Sequence, residues 1–282
     1  MEWRGRRESS NIEDRRGGGG GMIRPAGFGG IGLLVVVLIG MFFGVDLTPL
    51  LGTGGGPVAT NEAPAGPNTI DDENEQFVAT VLAQTEDVWS KRFQAAGLQY
   101  SQPKLVLFTG QTSSGCGFAQ SAMGPFYCPN DQTVYLDMDF FQVMEQQLGS
   151  RGEFAKAYVI AHEVGHHVQD EQGILQQVNS VRQRSNERDS NALSVRIELQ
   201  ADCYAGVWAH DSQAAFQLTD ADIKSALDTA AKIGDDALQR AARGRVVPDS
   251  FTHGTSEQRQ TWFYRGYKSG DDEQCDTYSG GI

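Results

Sequence analysis

The stretch Ala161-His162-Glu163-Val164-Gly165-His166-His167 sets two imidazoles four residues apart, with a carboxylate directly after the first imidazole. The spacing of apolar residues predicts a helix over 153–171. Residues four apart in a helix lie on one face, so His162 and His166 can bind one metal ion. Glu163 would then lie beside that ion. The sequence therefore predicts a metal site on this helix.

A catalytic zinc ion takes three protein ligands and leaves one position open. Four later side chains are candidates for the third ligand: Glu198, Asp202, His210 and His253. Apolar spacing predicts a second helix over 191–210, in which Glu198 and Asp202 lie four apart on one face. This arrangement lets Glu198 bind the ion while Asp202 accepts the N–H of a ligand histidine and fixes its tautomer.

The chain resembles the bacterial neutral zinc metallopeptidase family. Five segments carry the resemblance: Tyr127–Pro129, Val134–Asp137, His162–His167, Glu198–Trp208 and His253–Arg259. The resemblance implies an α+β, zincin-like domain, mainly helical, with a small mixed sheet beside the motif helix. It implies one Zn²⁺ per chain held by His162, His166 and Glu198, with Asp202 behind them and Glu163 as the general base.

The segment from Thr252 to Arg259 is also similar to the Thr-His-Pro-x-x-x-x-Arg segment of the integral membrane prenyl-protein-type proteases. Gly254 stands here in place of the proline, so the backbone is expected to be less fixed. From this likeness we expect His253 or Arg259 to face the cleft as a catalytic residue that stabilises the oxyanion.

These residues predict a zinc-dependent endopeptidase that acts on peptide or protein substrates. Zinc makes a water acidic, and Glu163 would take the proton and return it to the leaving amine. One alternative is a membrane-tethered binding or scaffold protein with a structural zinc and little turnover, which the intact Glu163 disfavours. Another is a deformylase-like hydrolase with a cysteine ligand, which would lack the downstream glutamate helix.

The amino-terminal part predicts a membrane anchor. Residues 27–45 contain no charged side chain, and nineteen residues in a helix span about 28 Å, close to the thickness of a bilayer core. A cleavable signal peptide is the alternative, but no clear small-x-small cleavage site follows. Residues 1–26 are predicted to be a disordered tail, and residues 46–70 a flexible linker.

Arginines before the apolar segment predict a cytoplasmic amino terminus for a single-pass protein, with the domain of residues 71–282 in the periplasm or outside the cell. The lipid bilayer is the expected partner of residues 27–45. The net charge of −13 makes nucleic acid an unexpected partner.

The chain has four cysteines, an even number that suits an oxidising compartment. Three pairings are possible, and we expect Cys116 with Cys128 and Cys203 with Cys275, because the first pair closes a short glycine-rich loop.

The rest of the domain shows alternating strand and helix patterns. Strands are predicted over 104–109 and 133–136, and helices over 71–96 and 219–242. The polar stretch 176–190 fits either a helical connection or a loop.

Overall fold

A computed structural model describes residues 1–16, 70, 72–120, 124–146, 148–150 and 152–282. The predicted anchor over 27–45 lies outside the described residues, as does the predicted linker except for Ile70. No helix within the described ranges is long and apolar enough to cross a bilayer.

The sheet is small and mixed. The strands are β1 (Ile12–Asp14), β2 (Lys104–Phe108), β3 (Gln111–Ser114), β4 (Gly117–Gln120), β5 (Phe126–Cys128) and β6 (Thr133–Asp137). Four of them form the sheet in the order β1-β2-β6-β5, with β1, β2 and β6 parallel and β5 antiparallel to β6. A separate hairpin pairs β3 with β4.

Helices make up most of the described chain. They are α1 (Glu73–Ala95), α2 (Met138–Gln146), α3 (Glu153–Glu171), α4 (Ile174–Arg182), α5 (Glu187–Phe216), α6 (Asp220–Lys232), α7 (Asp235–Arg243) and α8 (Ser256–Ser269). Short 3₁₀ turns cover Pro248–Ser250 and Asp272–Cys275. A mainly helical fold with a small mixed sheet agrees with the α+β prediction.

The two metal-motif helices touch along their backbones. At Gly165, the fourth residue of the His162–His166 motif, a Cβ atom would lie 3.0 Å from the carbonyl oxygen of Ala201. Helix α5 therefore approaches α3 more closely than a side chain there would easily allow. This approach brings Glu198, one turn before Ala201, to the face of α3 that carries the histidines.

Helices α5 and α8 cross at even closer range. A Cβ on Gly206 would lie 2.1 Å from the carbonyl oxygen of Phe263, and one on Gly266 would lie 2.0 Å from that of Cys203. Only glycine fits at both positions. The crossing fixes α8, which carries Arg259, against the helix that carries Glu198 and Asp202.

Both disulfides have the pairing expected from the sequence. Cys116 bonds to Cys128, which ties the β3–β4 hairpin region to β5, and Cys203 bonds to Cys275, which ties the carboxyl-terminal turn to α5. Each bond closes a loop and so restricts the unfolded chain.

The prediction that the amino-terminal tail is disordered is wrong for residues 1–16. Trp3 is 3% exposed and packs edge-on against Phe77 of α1, and Ile12 is buried where β1 pairs with β2. Residues 17–26 lie outside the described residues. The sequence prediction failed because two isolated apolar residues in a polar stretch give no periodic signal.

Two arginines of this segment bond to carboxylates of α1, of the residue that caps it and of β1. Arg7 bonds to Glu86 and Asp87, and Arg16 bonds to Asp14, with ion pairs to Asp72 and Glu75. Charged residues that predict a solvated tail therefore form ion pairs that attach this segment to the domain.

Strands β1 and β2 exchange main-chain hydrogen bonds, so residues 12–14 and 104–108 lie side by side. Two paired strands lie on the same side of a membrane. We therefore expect residues 1–16 and the domain to lie in one compartment.

We predict that two single-cysteine variants, Ser10→Cys and Ser279→Cys, label together in cells with an intact plasma membrane. Both positions are exposed, and the four natural cysteines are in disulfides. The measurement is the reaction of each variant with a membrane-impermeant maleimide, before and after lysis. Labelling of one position alone in intact cells would contradict the shared compartment.

Candidate metal centre and active-site cleft

His162, His166 and Glu198 come together between α3 and α5. Nε2 of His162 lies 3.1 Å from Oε2 of Glu198, and Nε2 of His166 lies 3.5 Å from Oε1 of the same carboxylate. One ligand atom from each of the three residues lies within 4.8 Å of the other two.

Two of these separations are close to those around a tetrahedral zinc ion. Ligand atoms about 2.0–2.2 Å from such an ion are about 3.3–3.6 Å apart, and the two nitrogen–oxygen distances are 3.1 and 3.5 Å, each to a different oxygen of Glu198. The widest separation in the set, within 4.8 Å, would have to shorten by about 1 Å when an ion binds. Two imidazoles and a carboxylate are also the donor set of many catalytic zinc sites. The residues present therefore fit the ion that the sequence predicts.

The carboxylates around the histidines favour positive charge. Burial alone would lower the pKa of His162, but Asp202 and Glu198 raise it to about 10. Burial would raise the pKa of Glu198, but the imidazoles of His253, His166 and His162 hold it well below its ordinary value. A site that stabilises an imidazolium this strongly also favours a divalent cation at the same point.

Asp202 lies directly behind His162. Its Oδ1 is 2.8 Å from Nδ1 of His162 and accepts a 2.6 Å hydrogen bond from the hydroxyl of Tyr158. With a proton on Nδ1, the imidazole presents Nε2 toward Glu198. The carboxylate thus selects the tautomer and ring orientation that a metal ligand needs.

Arg259 is among the residues that line the cleft, and it is also bound to Asp202. It is 2% exposed, and its guanidinium donates to both oxygens of Asp202, from Nε at 2.8 Å and from Nη2 at 3.0 Å. These two hydrogen bonds balance the charge of a buried carboxylate, so the guanidinium contacts His162 through Asp202.

Gln169 is a functional contact that sequence reasoning missed. It is fully buried one turn after His166, and its Oε1 lies 2.9 Å from Nδ1 of that histidine. Its amide group donates to the carbonyl of Ile197 and to Gln200, both on α5. The i, i+3 spacing from His166 was the available signal.

His167 lies away from the metal ligands. Its Nδ1 is 3.1 Å from the hydroxyl of Tyr127, and its Nε2 is 2.6 Å from the carbonyl oxygen of Ser101. Burial lowers its pKa. These contacts give it a structural position. His210, the remaining histidine on α5, bonds to the carbonyl of Tyr267 and also lies outside the site.

Glu163 lines a cleft of about 630 Å³ together with the metal-site residues. It is 8% exposed, and burial raises the pKa of its carboxyl group above the ordinary value. A carboxylate with a raised pKa is a better base near neutral pH. Apolar side chains from three helices and β5 line much of the cleft: Phe126, Phe140, Val143, Leu148, Leu175 and Leu238.

His253 also lines the cleft, on the segment that leads into α8. Its side chain is about one-third exposed, and its charge lowers the pKa of Glu198, which places it near the metal ligands. The expectation of a loosely fixed backbone at Gly254 is wrong. Gly254 has φ +93°, and the backbone here is held by Asp235, which sequence reasoning did not single out.

The sequence profile of the family described as "Putative neutral zinc metallopeptidase" matches residues 1–278. The chain belongs to this family. The profile includes the amino-terminal segment that packs against α1. Membership of the neutral zinc metallopeptidase family supports a zinc-dependent peptidase with peptide or protein substrates.

Members of the neutral zinc metallopeptidase family include close relatives of this chain. "Uncharacterized protein YpfJ" of Escherichia coli K12 is 50% identical over 289 residues, which cover 100% of both chains. "Uncharacterized protein Rv2575" of Mycobacterium tuberculosis is 48% identical over 191 residues, which cover 64% of each chain. No solved structure matches the chain.

We predict that Glu198→Ala lowers bound zinc from about one ion per chain to almost none, because two imidazoles alone leave the ion without its anionic ligand. The measurement is metal analysis of the purified protein after dialysis. Glu187→Ala, an exposed acid-to-alanine change on the same helix, is the matched control and should keep its zinc. Unchanged zinc in Glu198→Ala would show that another residue is the third ligand.

Proposed function

We propose that the protein is a zinc-dependent endopeptidase with its active site in the cleft between α3, α4, α7 and β5. The observation that carries the proposal is the position of Glu163. Its carboxylate faces the cleft beside two imidazoles and a second carboxylate whose ligand atoms are spaced for one zinc ion. A binding protein with a structural zinc would have no need of a base at this point.

His162, His166 and Glu198 would hold the ion, and zinc bound there would polarise a peptide carbonyl and lower the pKa of a water. Glu163 would accept a proton on its carboxylate and pass it to the nitrogen of the leaving amine. Its raised pKa suits both steps, since the group must bind the proton and then release it.

The rim of the cleft supports an extended peptide as the substrate. Strand β5 is an edge strand among the described residues, and the segment Gly124–Tyr127 lines the cleft. An extended chain can add to such an edge by main-chain hydrogen bonds, while pockets receive alternate side chains. The apolar lining favours apolar side chains in those pockets. An endopeptidase fits this arrangement, because a peptide can run along the edge in both directions.

His253 is the residue we propose for stabilising the oxyanion. It reaches the cleft from the side of α7 and α8, whereas Glu163 and the metal ligands come from α3 and α5. An imidazole N–H is a suitable donor for a developing negative charge. Arg259 is not assigned this role, because Asp202 occupies its guanidinium.

The two disulfides support a location outside the cytoplasm, since such bonds persist in oxidising compartments. We therefore propose that residues 1–16 and the catalytic domain both lie on the outer side of the plasma membrane, and that residues 27–45 contact the bilayer. Labelling of both Ser10→Cys and Ser279→Cys from outside is the result this location predicts. Labelling of neither until lysis would refute it.

We predict that Glu163→Gln keeps about one zinc per chain but loses cleavage by about 10²- to 10⁴-fold, because the amide cannot act as a base. The measurement is release of peptides from fluorescein-labelled casein, with identification of the products by mass spectrometry. Glu171→Gln, a half-buried glutamate at the end of the same helix whose amide oxygen can still accept from the backbone N–H of Ser101, is the control and should cleave normally. Cleavage by Glu163→Gln at the rate of the control would exclude Glu163 as the base, and no cleavage by the wild-type protein would contradict the peptidase function.

A further inference from the structure

We propose that Asp235 is the positioning residue of the active site, which holds His253 in place and directs its Nε2 into the cleft. This inference rests on the proposed peptidase function and adds to it a residue on a different helix. Asp235 is the first residue of α7, and it is 1% exposed.

One oxygen of Asp235 fixes the backbone around His253. Oδ2 accepts hydrogen bonds from three successive main-chain N–H groups, those of Thr252 at 2.8 Å, His253 at 2.7 Å and Gly254 at 3.0 Å. In return, the N–H of Asp235 donates to the carbonyl of Gly254 at 2.8 Å. These three hydrogen bonds to one carboxylate oxygen fix the peptide groups on both sides of His253.

The second oxygen of Asp235 faces the imidazole. Oδ1 is buried without a hydrogen-bond partner among the described residues and lies 3.6 Å from Nδ1 of His253. A buried carboxylate oxygen without a donor is costly, so a small rotation of the ring that brings Nδ1–H to it is favourable. The hydroxyl of Thr252 lies 2.9 Å from the same nitrogen, so Nδ1–H can be shared between this hydroxyl and the nearby charged carboxylate.

The consequence for chemistry lies at the other ring nitrogen. Nδ1 and Nε2 are on opposite sides of an imidazole, so a ring with Nδ1 toward Asp235 presents Nε2 away from it, on the side open to the cleft. An acceptor that orients a catalytic imidazole typically contributes about 10- to 100-fold to activity. Asp235 borders the same cleft, and we propose that its effect on catalysis passes through His253.

Two glycines allow the close approach that this contact requires. A Cβ on Gly234 would lie 2.4 Å from the backbone nitrogen of Ser256, and Gly254 has a left-handed φ with neighbours at 3.2 Å. The α6–α7 junction and the segment before α8 therefore meet backbone to backbone. This explains why the helix predicted over 219–242 is broken: Gly234 ends one helix so that Asp235 can face His253.

The neighbouring Asp236 supplies a matched control. Its Oδ1 accepts from the backbone N–H and the hydroxyl of Ser256, so it holds the same two segments together without contacting His253. If both aspartates only held the two segments together, their substitutions would have equal effects on activity. If Asp235 positions His253, only the substitution of Asp235 should lower activity.

The test uses Asp235→Asn, which separates the two functions of the carboxylate. An asparagine oxygen can still accept the three backbone N–H groups, but its NH₂ group then faces Nδ1 of His253 and favours the opposite tautomer. We expect Asp235→Asn to keep its zinc and lose kcat by about 10- to 100-fold with KM little changed, measured on a quenched-fluorescence peptide taken from a casein cleavage site. Asp236→Asn should keep kcat.

A double variant checks that the effect passes through the imidazole. In the His253→Ala background, Asp235→Asn should cause no further loss of kcat, because the group that Asp235 orients is gone. A full additional loss in that background, or equal losses for Asp235→Asn and Asp236→Asn, would overturn the proposal.

A second readout does not depend on cleavage. Nitrogen-15 shifts of the His253 imidazole, assigned with His253→Asn and recorded at a pH where the ring is neutral, report which nitrogen carries the proton. We expect the proton on Nδ1 in the wild-type protein and in Asp236→Asn, and on Nε2 in Asp235→Asn. A wild-type ring protonated on Nε2 would refute the proposal even if Asp235→Asn does not fold. If the wild-type protein does not cleave casein, the peptidase function fails while this readout still decides the role of Asp235.

Discussion

The site depends on one buried carboxylate, that of Asp202. It is inaccessible to solvent and takes hydrogen bonds or close contacts from Tyr158, His162 and Arg259. Burial would raise its pKa, but Arg259 and His162 lower it to about 2, so it remains charged. A buried charge is tolerated only when its partners are in place, and removal of one partner typically costs about 3–5 kcal/mol. The orientation of a metal ligand and the packing of three helices are thus linked at one group.

The same constraint explains the helix crossings. Arg259 reaches Asp202 only because α8 crosses α5 in backbone contact at Gly206 and Gly266. The segment that starts α8 is in turn held by Asp235 and Asp236. A continuous set of contacts therefore runs from the metal ligands through α8 to the loop that carries His253. The two sides of the cleft are built on these connected helices, so Glu163, the proposed base, and His253, the proposed oxyanion donor, keep a fixed distance and orientation.

The sequence predicted those parts of the site that have a local spacing. The i, i+4 pairs His162 with His166 and Glu198 with Asp202 were visible because a helix fixes which residues share a face. The class of fold, α3 with its bounds and both disulfide pairings were also predicted. The roles of Arg259 and Asp235 were not, because each depends on a contact between segments distant in sequence.

Two other errors have the same origin. The composition of the amino-terminal segment predicts a polar tail. In the structure, Trp3 and Ile12 are buried, because α1 and β2 provide an apolar surface and acidic partners for this segment. The single helix expected over 219–242 ignored the space that Gly234 leaves for the backbone of Ser256. Neither a complementary surface nor a close approach of two backbones has a periodic signature in one stretch of sequence.

We propose that α3 and α5 build one zinc site from two imidazoles and a carboxylate. X-ray absorption at the zinc edge of the purified full-length protein tests this site. We expect a four-coordinate shell of nitrogen and oxygen at about 2.0–2.1 Å, with the outer scattering of two imidazole rings. A sulfur scatterer at about 2.3 Å, or a shell without imidazole, would contradict it.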